Sequence, residues 1–104
     1  MTRVTFFREG DAFLAFRVSG HSGRAPRGFD IVCAAITSAV RLAECQLNDV
    51  LKLSAEVQTD EERAEITIGF QKPNVAAQPV MQALYLYLSE LSEEYPRFLQ
   101  ISEV

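Results

Sequence analysis

One histidine and two cysteines are present among the 104 residues. His21 lies near the start of a glycine-rich stretch, Gly20-His21-Ser22-Gly23-Arg24-Ala25-Pro26-Arg27-Gly28, and Cys33 lies beyond its end. A cysteine attacks a carbonyl as its thiolate, and a free thiol is mostly protonated at neutral pH. An imidazole within reach removes that proton, and the pair then supports acyl transfer through a covalent intermediate. A chain that folds back between His21 and Phe29 would bring the one imidazole to Cys33.

Asp30 reads as the N-cap of a helix, which makes Cys33 the third residue after the cap. Backbone N–H groups there are unpaired and carry a partial positive charge that favours an anion. The neighbouring arginines act in the same direction. The N–H groups around Ile31 to Cys33 are candidate donors for a developing oxyanion. Gly23 and Gly28 allow the backbone to approach a substrate closely. Thr37 lies one turn beyond Cys33, where its hydroxyl can reach toward the sulfur. Phe29, with core aromatics, is the candidate lining of an apolar substrate pocket.

Plainer roles are open for each residue. Cys33 also suits a small buried hydrophobe, and His21 suits polar loop surface. Asp30 as a cap places a carboxylate near Cys33 and opposes the thiolate. Thr37 can bond back to the carbonyl four residues earlier. Cys45 lies twelve residues from Cys33 on the same predicted helix, roughly 18 Å away along its axis. That exceeds the reach of a disulfide, and Cys45 reads as inert surface. One histidine and two separated cysteines offer no compact metal site, and no cofactor is expected.

The elements that must position these residues follow from periodicity. Val4 to Arg8 and Phe13 to Val18 are rich in β-branched and aromatic residues, and Glu9-Gly10-Asp11 between them can turn, which predicts a hairpin. Gly20 to Gly28 reads as a loop. A helix runs from Asp30 to about Lys52, with Ile36, Val40, Ala43, Leu47 and Val50 as its buried stripe. Ile31, Ala35 and Leu42 form a second apolar flank, suited to more sheet or to another subunit. Leu53 to Gln58 and Ala64 to Phe70 alternate as strands, joined by a charged connection. Pro79 starts a second helix with the stripe Val80, Leu84, Leu88, Leu91 and Tyr95, and Pro96 stops it. Met81, Tyr85, Leu86 and Tyr87 widen its apolar face. Arg97 to Ile101 closes the order as a final strand. The ββαββαβ order predicts an α+β two-layer sandwich over residues 1–104: one domain, a mainly antiparallel five-stranded sheet, and two helices on one face.

The net charge of −4 argues against a nucleic-acid binder. The charge is uneven. Five arginines against Glu9 and Asp11 give +3 over residues 1–29, and the remainder carries −7. No apolar run approaches the ~20 residues of a membrane helix. The start of the chain lacks a signal-peptide core, so a cytoplasmic location without membrane partners is expected.

Gly20-His21, then a glycine-containing loop, then Asp30-Ile31-Val32-Cys33-Ala34-Ala35 resembles the signature of the ribosomal-processing cysteine protease family, Prp. The resemblance spans essentially the whole chain, including the helix ending Glu94-Tyr95-Pro96. It implies an endopeptidase with His21 as base and Cys33 as nucleophile. It implies a substrate, the short N-terminal extension of large-subunit ribosomal protein twenty-seven, cut after an aromatic pair and before a small residue. It implies a homodimer whose loop between His and Cys is ordered by substrate. Ser22 stands where the family often has Ala, Thr37 where it often has Ser, and Phe29 where it is often polar. A non-enzymatic ribosome-associated binding module and a redox-sensing thiol are the alternatives.

Overall fold

The computed structural model describes residues 1–20 and 27–104, with side chains described outside 21–30. Five strands and two helices follow the expected order: β1 (Thr2–Glu9), β2 (Ala12–Ser19), α1 (Arg27–Glu44), β3 (Glu56–Asp60), β4 (Glu65–Gly69), α2 (Gln78–Glu94) and β5 (Leu99–Glu103). The sheet runs β3-β4-β2-β1-β5. Three pairings are antiparallel, and β5 joins β1 in parallel, because α2 carries the chain across one face before it re-enters the sheet. The α+β class and mainly antiparallel sheet stand as expected.

Alternation along β1 points Val4 and Phe6 to the helix side, where they are fully buried, and leaves Arg3 exposed on the other side. Phe16 of β2, Ile68 of β4 and Leu99 of β5 share the inner face. Val32, Ile36, Val40, Ala43 and Leu47 meet them from the first helix, and Met81, Leu84, Leu88 and Leu91 from the second. The register of β2 slips between Phe7 and Arg8 of β1, so that Arg8 pairs with Phe13 and Leu14 bulges out. The Leu14 carbonyl accepts from the Phe70 N–H at 2.9 Å instead. A methyl at Gly69 would overlap Ala15, so the bulge and the glycine are matched.

Several boundaries differ from the expectation. The first helix begins at Arg27, three residues before Asp30, so Asp30 is not its cap and Gly28 is helical rather than loop. A carboxylate is favourable at a cap and throughout the first turn, and the sequence signal is therefore the same for both. At Cys45 the helix widens into a π-helical segment, Cys45–Val50. Leu51 N–H donates to the Gln46 carbonyl at 2.9 Å, five residues back. Wider turns rotate later residues off the 3.6-residue schedule. Leu47 stays buried but Val50 turns out, 68% exposed, instead of completing the stripe. Ile31 and Leu42 of the second flank are exposed too, and Ala35 alone of the three packs partly against the core.

The third strand starts at Glu56 rather than Leu53. Lys52 and Ser54 adopt positive φ, which interrupts an extended ladder. Asn48 holds the incoming chain, accepting from Ala55 N–H at 2.7 Å and donating to its carbonyl at 3.2 Å. The last strand starts at Leu99 because the chain turns once more after Pro96, with Phe98 and Leu99 N–H both donating to the Tyr95 carbonyl. In α2 the buried stripe runs through Met81 rather than Val80, which is half-buried. No helix among the described residues is long and apolar enough to cross a membrane.

Candidate active site

Three elements meet where β1 begins. Thr2 enters the sheet between two neighbours: its N–H donates to the Phe98 carbonyl at 2.9 Å, and it pairs with Leu99 of β5. On its other side β2 ends at Ser19 opposite Arg3, so the following residue, Gly20, arrives beside Thr2. Gly20 has φ +89°, and a methyl there would overlap the Met1 carbonyl oxygen. Glycine is required on both counts, since the left-handed conformation and the close approach each exclude a side chain.

Cys33 comes down on this corner from α1. It is the seventh residue of the helix, one turn before Ile36 and Thr37. Val32 and Ile36 are buried in the core, and their anchoring aims Cys33 at the start of β1. Its sulfur lies 3.6 Å from Thr2 Oγ1. Cys33 is only 9% exposed and makes no disulfide, whereas Cys45 is exposed and free.

The candidate residues divide into four groups. Gly20 and Cys33 are brought to one corner, bridged by Thr2. Gly28, Phe29 and Asp30 lie on the first turn of α1 by their backbone. His21, Ser22 and Gly23 fall outside the described residues. Thr37 is exposed, and the sulfur's hydroxyl partner is Thr2.

Two expectations about the site are corrected. Because α1 begins at Arg27, the unpaired N–H groups belong to the turn before Ile31, not to Ile31–Cys33. Cys33 is accordingly a second-turn residue, where the field of the helix end has weakened. Among the described residues, the aromatic cluster of the core lies away from Cys33, toward the other end of β1. Phe6 meets Phe13 and Tyr85 edge to face, and Phe13 and Tyr85 lie tilted to each other, with centroids 5.1–5.6 Å apart. Phe6 is four strand residues from Thr2, about 13 Å along β1.

Thr2 is the residue that inspection of the sequence missed. It lies two and four residues before Val4 and Phe6 and therefore on the same face. A hydroxyl at the head of an inward-facing apolar series was the available signal.

A small α+β domain that buries an undisulfided cysteine at the mouth of a sheet, at the corner where Gly20 follows β2, defines a candidate thiol hydrolase. Comparison with known proteins makes this specific. The family model described as cysteine protease Prp matches residues 1–100. The chain belongs to that family and is a cysteine protease, which decides against a purely binding module. The crystal structure of SMU.848 from Streptococcus mutans is similar over 100% of this chain and 94% of that one, at 26% identity and a TM-score of 0.88. The essential ribosomal processing protease Prp from S. aureus in complex with a substrate peptide superposes with a TM-score of 0.85 at 18% identity, each chain fully covered. The same protease with a covalently linked product peptide gives 0.81 at 19% identity, again with both chains fully covered. No curated protein matches the chain.

Proposed function

We propose that the protein is a ribosomal-processing endopeptidase that removes a short N-terminal extension from large-subunit ribosomal protein twenty-seven, cutting after an aromatic pair, with His21 and Cys33 as its dyad. The observation that carries this reading is the convergence of Gly20, Thr2 and Cys33. Gly20, which precedes His21 in the sequence, lies beside the Thr2 that touches the sulfur. The similar S. aureus protease, solved with substrate and product peptides, supports a peptide as the ligand.

In the proposed cycle His21 takes the Cys33 proton, and the sulfur adds to the carbonyl that ends the extension. Unpaired N–H groups of the first turn of α1 are the candidate oxyanion donors. Collapse of the intermediate forms a thioester, while His21 returns the proton to the leaving amine of the trimmed protein. Water then hydrolyses the thioester and releases the extension. Gly20, Ser22, Gly23 and Gly28 would let the peptide lie against the main chain, with Phe29, Asp30 and Thr37 in supporting roles. A cytoplasmic homodimer that contacts the ribosomal protein, and not nucleic acid, completes the proposal.

The test is incubation with the N-terminal region of the ribosomal protein. Cys33→Ala and His21→Ala should each lower cleavage at least about 1000-fold, as loss of a nucleophile or its base does elsewhere. Cleavage that survives Cys33→Ala would refute the assignment.

A further inference from the structure

We propose that Thr2 is a positioning residue for the reaction, its hydroxyl holding the Cys33 sulfur in place and donating a hydrogen bond to it once it is ionised. The inference rests on Cys33 being the nucleophile. It starts from a burial that stability does not explain. Thr2 is 2% exposed and shares its face with Val4 and Phe6, both fully buried. A valine there would fill the same shape, whereas a buried hydroxyl costs free energy unless it is bonded. Thr2 Oγ1 is bonded, and its described side-chain partner is Cys33 Sγ at 3.6 Å.

The contact is suited to both forms of the sulfur. A thiol is a weak donor and a hydroxyl accepts as readily as it donates, so S–H can point at Oγ1. A thiolate has no proton to give, and the hydroxyl then turns its own O–H toward the sulfur. Only the hydroxyl proton rotates between the two states. The resulting bond is charge-assisted and is stronger than a neutral one.

The hydroxyl is also held still. The Thr2 N–H is fixed to the Phe98 carbonyl at 2.9 Å, and the residue is paired with Leu99 of β5. A β-branched side chain in a strand has few χ1 choices, and burial removes more. Gly20 closes the same corner against Met1. The sulfur thus meets a donor borne by a strand paired on both sides, while the imidazole belongs to the sequence between β2 and α1.

The test compares Thr2→Val, which removes only the hydrogen-bonding capacity, with Thr2→Ser, which keeps it. The substrate is a fluorogenic peptide carrying two aromatic residues before the cut. Thr2→Val should lower kcat about 10- to 100-fold, the range expected for one hydrogen bond to a charged group. KM should stay within about 3-fold, because the hydroxyl acts on the sulfur and not on the bound peptide. Thr2→Ser should return kcat to within about 3-fold of wild type. Alkylation of Cys33 by iodoacetamide in the folded proteins should follow the same order. If Thr2→Val does not fold, Thr2→Ala against Thr2→Ser gives the same contrast of hydroxyl absent and present. Wild-type kcat in Thr2→Val, or a Thr2→Ser as slow as the variants without a hydroxyl, overturns the inference. Cys33→Ala is assayed in parallel. Its activity would instead defeat the nucleophile assignment on which the inference stands.

Discussion

The two ends of β1 are built from opposite materials. At its C-terminal end Phe6 and Phe13 pack edge to face, and Tyr85 of α2 closes the cluster. Arg8 lies over the Phe13 ring, 3.9 Å from its centroid. Its guanidinium pairs with Glu103, which also accepts from the Tyr85 hydroxyl at 3.1 Å. At the N-terminal end the residues are small: Thr2, Gly20 and Cys33 meet with no described charge among them. One end joins β1, β2, β5 and α2 through bulk and charge. The other brings main chain and a sulfur into close approach, which bulk would prevent. Strand β1 runs through both.

Substitutions should therefore separate stability from chemistry according to which end they touch. The largest effect on folding is expected from Phe6→Ala, which removes a fully buried ring shared by the cluster. Urea unfolding should show a loss of about 3–5 kcal/mol, with kcat of the remaining folded fraction close to wild type. Gly20→Ala should do the reverse in emphasis. Forcing a side chain at φ +89° against the Met1 carbonyl costs about 1–3 kcal/mol. Peptide cleavage should fall by a larger factor than the stability loss explains, because the displaced segment leads directly into His21. Activity that tracks stability alone in Gly20→Ala would erase the distinction between the two ends.

A smaller and pH-dependent effect belongs to Glu103. The hydrogen bond from Arg8, helped by Tyr85, holds its carboxyl below the usual glutamate range, burial opposing slightly. A carboxylate lowered on folding stabilises the fold above its ordinary pKa, and that contribution is lost as pH falls through the lowered value. Thermal melts of wild type should lose more between neutral pH and about pH 3 than melts of Glu103→Gln. The difference should shrink in high salt, because the pair is solvent-exposed. Cys45→Ala should change least of all. Cys45 is exposed at the start of the π-helical segment after α1, far from Cys33, and both the melting temperature and peptide cleavage should match wild type.

Much of this arrangement was legible in the residues. Alternation at Val4 and Phe6 and the helical spacing from Ile36 to Leu47 specify the hairpin, the first helix and their buried faces, because burial imposes one period on each element. Val50 escaped because the π-helical widening after Cys45 changes the period itself, and no single residue announces it. Asp30 misled because a carboxylate suits a cap and a first turn equally. The Gly-His junction and Cys33 stood out by type. Thr2 did not, because its role comes from packing between residues 31 positions apart. Pairing of β1 with β5 and with β2 creates that neighbourhood, and the local pattern shows only that Thr2 shares the inward face of Val4 and Phe6.

The most direct measurement is mass spectrometry of the enzyme quenched in acid during turnover of the ribosomal protein's N-terminal region. A thioester adduct with the mass of the extension, located on the peptide that contains Cys33 and absent in Cys33→Ala, is the expected result. An adduct on Cys45, or turnover by a Cys33→Ala protein, would contradict the assignment of Cys33 as the nucleophile.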